Sequence, residues 1–189
     1  MAALSRPRTP AVLTLGHSNR DWQAFRELLA AHGVERLADV RRFPRSRRHP
    51  QFNREVLAAR LAECGIAYDH HAELGGHRRP RPDSPNQGWP HEGFRGYADY
   101  MQTAAFERAV SELAAAAGKA RLAVMCAEAL PRRCHRWLLS NALAVRGLPV
   151  THVLSATATE PHRLTAFAEN DGTSLLYPFT LTAPGQRRP

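Results

Sequence analysis

Leu122-Ala-Val-Met-Cys126, running on through Ala127-Glu-Ala-Leu-Pro-Arg-Arg-Cys134-His135-Arg136, is the stretch on which the reading of this chain turns. Its first part is short, apolar and rich in strand formers, and reads as a buried strand. Trp137 to Arg146 reads as a helix that ends near Gly147. A loop that leaves the carboxyl end of a strand and opens a helix is where ligands bind in open α/β sheets. Free N–H groups and the positive dipole end at the helix start favour anions and thiolates there.

Outward from that stretch the same alternation repeats. Val12 to Gly16 reads as a strand; Asp21 then caps a helix with Trp22, Phe25, Leu28 and Leu29 at helical spacing, and Gly33 ends it. Residues 34–40 read as a second strand. Asn53 caps a helix whose apolar face is Val56, Leu57 and Leu61, with Cys64 beside them, and residues 66–68 give a short third strand. Residues 72–96 carry four prolines and five glycines, the composition of a lid, a binding loop or a disordered segment. Tyr97 to Ala117 reads as one long helix burying Tyr100, Met101, Phe106, Val110 and Leu113; residues 149–154 read as a fifth strand, and no periodic pattern follows. Strands alternating with helices predict an α/β fold: a single three-layer domain over residues 1–189, with a mostly parallel sheet of about five strands. Residues 1–10 and 182–189 read as tails. In a parallel sheet, His17, Asp39 to Arg42, His70-His71, Cys126 to Glu128 and His152 would crowd along one edge.

The 189 residues are 43% hydrophobic and 23% charged, an ordinary globular balance, but the net charge is +9 and the pI about 10.6. Lys119 is the single lysine among 26 basic residues. Such a chain suits an anionic partner, either a small molecule or nucleic acid; the plain alternative is a solvated basic surface in an arginine-biased composition. Three cysteines do not make a secreted disulfide framework. No apolar run approaches the roughly 20 residues that span a bilayer, and Met1 to Pro10 lacks the apolar core of a signal peptide. A cytoplasmic protein without a membrane partner is expected, and the sequence names no cofactor.

Cys126 and Cys134 admit several chemistries. Each can be a core residue. Cys126 can be a nucleophile above a strand end. Cys126, Cys134 and His135 can also hold a metal, although Cys-x7-Cys-His is not a usual zinc spacing. Cys126 to Arg132 has the C-x5-R outline of a cysteine-phosphatase loop, but it lacks the glycines such a cradle uses, and Glu128 would repel a dianion. Arg41, Arg42, Arg45, Arg47 and Arg48, flanked by Phe43 and Phe52, suit phosphate and base stacking or a solvated loop. Asp39 can orient Arg41 or act as a base. The candidate catalytic set is Cys126, Cys134, His135, His17, Glu128 and Asp39; Ser18, Arg41, Arg42 and Arg136 are the candidate substrate contacts.

Gly16-His-Ser-Asn19, Asp39-Val-Arg-Arg-Phe-Pro-Arg-Ser-Arg-Arg-His-Pro-Gln-Phe-Asn53, Leu74-Gly-Gly76, Gly96-Tyr97 and Cys126-Ala-Glu with Cys134-His-Arg136 occur in this order. With them the chain closely resembles the bacterial and archaeal family called domain of unknown function 488, from about residue 12 to about residue 155. The resemblance implies a cytoplasmic α/β domain and selects positions that include His17, Ser18, Asp39, Arg41, Cys126, Glu128, Cys134, His135 and Arg136. It brings no settled reaction. The leading expectation is therefore a small enzyme acting on a phosphate-bearing or nucleotide-like anion through Cys126. A nucleic-acid-binding module with structural cysteines is the second, and a Cys126, Cys134 and His135 metal site the third.

Overall fold

A computed structural model describes residues 10–171 and 174–179. Of the segments read as tails, residues 1–9 and 182–189 lie outside them. The elements run β1 (Val12–Gly16), α1 (Trp22–Ala31), β2 (Arg36–Asp39), α2 (Arg54–Glu63), β3 (Ala67–His70), α3 (Glu92–Tyr100), α4 (Ala104–Ala117), β4 (Leu122–Cys126), α5 (Arg136–Ala144), β5 (Val150–Val153), β6 (Thr159–Pro161), β7 (Glu169–Asn170) and β8 (Leu175–Leu176).

The sheet order is β3-β2-β4-β1-β5-β6. The first five strands are parallel and β6 closes one edge antiparallel to β5. This is the α/β domain with a mostly parallel sheet that the alternation predicts. β1 and β4 lie side by side at its centre, with Gly16 opposite Cys126. β7 and β8 form a separate ribbon where the sequence shows no pattern.

The period of two along a strand sorts side chains into two cores. Leu13, Leu15, Leu37, Ala123 and Met125 face α1 and α2, packing on Phe25, Leu28, Leu57 and Leu61. Val12, Ala38, Val40, Leu122 and Val124 face the other way, onto α3, α4 and α5. This parity decides which strand-end residues can meet.

Three local readings change. The expected long helix over 97–117 is two helices: α3 begins at Glu92, and Thr103, whose hydroxyl accepts from the Phe106 N–H, starts α4 anew. The break carries no glycine or proline, so periodicity runs through it unannounced. In α2, Asn53 makes no side-chain cap; its side-chain Oδ1 accepts from the Ser46 N–H instead, and Val56 and Cys64 are exposed. Residues 72–96 are not a detached flap. Ser84 and Asn86 are buried and bind the Asp99 carboxylate, and Asn86 also accepts from the Tyr177 N–H.

Candidate functional site

The loop after β4 is held by backbone before any side chain acts. The His17 and Ser18 N–H groups donate to the carbonyls of Cys126 and Ala127, each at 2.9 Å, extending the β1–β4 ladder past the strand ends. The loop then crosses the end of β1 so closely that a Cβ on Gly16 would lie 1.9 Å from the Glu128 carbonyl oxygen. Only glycine fits beneath it. Arg136 is 1% exposed; its guanidinium donates to the carbonyls of Glu128 and Ala129 and to the Thr14 hydroxyl. That geometry makes Arg136 the anchor of the loop.

Beyond the loop, one turn of 3-10 helix (Pro131–Arg133) brings Cys134 and His135 to the amino end of α5. The Cys126 and Cys134 sulfurs and a His135 ring nitrogen all lie within 4.8 Å of one another. Cys134 Sγ is 3.7 Å from His135 Nδ1. The thiol of Cys126, the imidazole of His135 and the guanidinium of Arg136 hold Cys134 well below the usual thiol range, against its burial. Cys126 is pushed up by its bond to Cys134 and by burial. The two shifts run in opposite directions and favour a negative charge on Cys134 over one on Cys126.

His135 is gripped on both sides. Its ring packs 5.1 Å from the Tyr97 ring, and a Cβ on Gly76 would meet its Nδ1 at 2.8 Å. Among the described residues its Nε2 is buried without a partner. The cluster forms the floor of a cavity of about 400 Å³. Arg41, Arg42, Arg133, His77 and His91 supply cationic or imidazole groups to its wall, and Phe43 and Phe94 supply rings. Glu128 also lines it while accepting from the Leu130 N–H at 3.0 Å. Arg133 belongs to the loop itself but was not singled out from sequence; His91 and Phe94 were not either, because only folding brings them to the loop. Arg132 does not cradle an anion: it lies over the Trp137 ring and pairs with Glu160, unlike the arginine of a phosphatase loop.

The rest of the sequence-selected edge divides across the sheet. Cys126 has the parity of Leu122 and Val124, hence the α5 face; His17 and Asp39 have the parity of Leu15 and Leu37, hence the α1/α2 face. On that second face Asp39 is fully buried. Its carboxylate accepts from the Arg41 guanidinium and backbone N–H and from the Tyr68 hydroxyl. His17 stacks on Phe52 at 4.1 Å, bonds the Ser18 carbonyl through Nδ1, and meets Arg41 at Nε2. Burial and the Arg41 charge lower its pKa to about 4, so it is neutral at physiological pH. Ser18 takes a left-handed backbone (φ 53°) and its hydroxyl donates to Asn19. His17 and Ser18 do not line the cavity, and Asp39 reaches it only through Arg41.

His152 belongs elsewhere too. It is 1% exposed within β5, stacked on Trp137. The Thr165 N–H donates to Asn141 Oδ1, which fixes that atom as an acceptor. His162 Nε2 must then donate to it, His162 Nδ1 accepts from His152 Nε2, and His152 Nδ1 accepts from the Thr14 hydroxyl. Thr14 in turn accepts from Arg136. Every donor in this chain runs one way, from the loop anchor to Asn141, and both imidazoles must be neutral to complete it.

A family model described as domain of unknown function DUF488 matches residues 21–143, from the start of α1 nearly to the end of α5. No curated protein and no solved structure matches the chain.

Proposed function

The chain belongs to the DUF488 family, and from that premise we propose that it is a thiol enzyme acting on a small anionic, phosphate-bearing or nucleotide-like substrate. One observation carries the reading: both loop cysteines and His135 converge on the floor of a cavity whose wall holds Arg42 and Arg133. Cys126, the more exposed of the pair, meets the substrate. Cys134 carries the negative charge, its thiolate stabilised by a hydrogen bond donated from His135 Nδ1, and Cys126 beside it is the thiol that faces the substrate. Arg42 and Arg133 hold the anion, and Glu128 accepts a hydrogen bond from the substrate's donor groups.

Competitive alkylation tests this without a known substrate, because Cys64 is an exposed internal control at the far end of α2. The intact protein is treated with anionic iodoacetate or neutral iodoacetamide, and each cysteine is mapped by mass spectrometry. At Cys126 or Cys134 the iodoacetate-to-iodoacetamide rate ratio should exceed that at Cys64 by about tenfold, as a cationic cleft requires. Inorganic phosphate should suppress the excess. A ratio equal to that at Cys64 would remove the reading.

The same three donors favour a second reading. The 3.7 Å between Cys134 Sγ and His135 Nδ1 is close to the edge of about 3.6 Å in a tetrahedron with zinc-like bond lengths. Cys126, Cys134 and His135 would then hold a soft divalent ion with a fourth position open to the cavity. Near one metal per chain, with Cys126 and Cys134 shielded from alkylation, would favour this version.

A further inference from the structure

A second depression, of about 470 Å³, adjoins the thiol cavity and shares Arg42 and His77 with it. Arg78, Arg79 and Arg81 line it with Tyr100. No salt bridge joins any of these four arginines to a carboxylate among the described residues. Arg42 donates to the His77 carbonyl, Arg78 to the carbonyls of Gly75 and Glu73, and Arg81 to the Gln102 side chain. Neutral acceptors orient a guanidinium without cancelling its charge. Asp99 is the one carboxylate of the groove, and it is 5% exposed and turned inward to Ser84, Asn86 and the Arg81 N–H.

The passage between the two depressions is built at a conformational cost. His77 has φ 59°, the left-handed region that a non-glycine residue rarely enters. A Cβ on Gly96 would lie 2.3 Å from the Arg78 carbonyl oxygen, so α3 presses directly on this segment. Strain and close packing set His77 between the thiol floor and the arginine groove. Rings stand along the path: Arg78 lies 3.6 Å from the centre of the Tyr100 ring, and Phe43, 70% exposed, stands beside Arg42 with 5.5 Å between guanidinium and ring. Guanidinium groups without carboxylate partners, set beside the exposed Phe43 ring and the half-buried Tyr100 ring, suit a flexible phosphodiester chain with unstacked bases. A duplex does not offer its base faces to such a groove.

We propose that the natural ligand is a single-stranded nucleic-acid segment, with one nucleotide in the thiol cavity and its neighbours running through the Arg78–Arg81 groove. This rests on the thiol-cavity reading and extends it from a small anion to a chain of phosphates.

Fluorescence anisotropy with labelled oligothymidylate of about twelve nucleotides, on the full chain, tests it. Binding should weaken with salt, with a log–log slope of about −2 or steeper for three or four neutralised phosphates. Arg79→Ala with Arg81→Ala should lower affinity about tenfold and flatten the slope by about one. Arg79→Lys with Arg81→Lys should recover most of the slope, which separates lost charge from lost folding. No binding at about 50 mM NaCl, an unaltered slope in the alanine variant, or equal affinity for a polyphosphate of matched charge would each overturn the groove proposal. The iodoacetate preference of the unmodified protein judges the thiol reading separately. If that preference holds while oligonucleotide binding fails, only the groove falls.

Discussion

Replacing Asp39 with alanine should cost about 3–5 kcal/mol of stability, the range for removing one partner of a buried ion pair. Asp39 is fully buried and Arg41 is 7% exposed, so water cannot replace the lost carboxylate. Three donors would lose their acceptor at once: the Arg41 guanidinium, the Arg41 backbone N–H and the Tyr68 hydroxyl. The effect would also reach the cavity, because Arg41 joins the Asp39 face to the cavity wall. Urea denaturation should show a large fall in midpoint, with Asp39→Asn milder because it keeps shape and one acceptor oxygen. If the alanine variant does not fold, Asp39→Asn still decides. An asparagine variant as stable as the parent would mean that the pair does not organise this edge.

Acidification should unfold the protein through histidines. Burial lowers the pKa of His17 and His162 to about 4 and that of His152 to about 3, with nearby cationic groups acting in the same direction. In the unfolded chain each titrates near 6.5. Unfolding therefore takes up protons from about pH 6.5 down to about pH 4 for His17 and His162 and about pH 3 for His152. The stability tied to neutral imidazoles is whole above that window, declines as pH falls through it, and is exhausted below it. Each fully buried imidazole contributes a slope of up to about 1.4 kcal/mol per pH unit; the half-exposed His162 contributes less. Urea midpoints at several pH values should give an uptake of two to three protons near pH 5, and His152→Gln should remove about one. Stability unchanged from pH 7 to pH 5 would contradict the one-way hydrogen-bond chain from Arg136 to Asn141.

Strand identity and the parallel sheet were legible because apolar runs of four or five residues alternate with helical periodicity. The loop from Cys126 to Arg136 was legible because a strand end, two thiols and a helix start coincide there. The division of the edge was also present, though less visibly. Counting in twos from Leu15 reaches His17, and from Leu37 reaches Asp39; counting from Val124 reaches Cys126 on the opposite face. Proximity along one edge therefore did not mean one site. What could not be read was distant in sequence: Phe94, His91 and His77 line the cavity from α3 and the segment before it, part of which Asp99 holds through Ser84 and Asn86. The anchoring of the loop by Arg136 was not legible either, because it depends on a loop crossing above Gly16, which spacing alone does not reveal.

Thiolate absorbance near 240 nm, followed from about pH 5 to pH 10 in metal-free protein, tests the centre of this account most directly. A negative charge on Cys134 predicts close to one thiolate per chain at neutral pH, lost in Cys134→Ser and kept in Cys64→Ser. A titration that begins only above about pH 8, or that is indifferent to Cys134→Ser, would mean that the two sulfurs are inert packing and that the cavity has no thiol chemistry to offer.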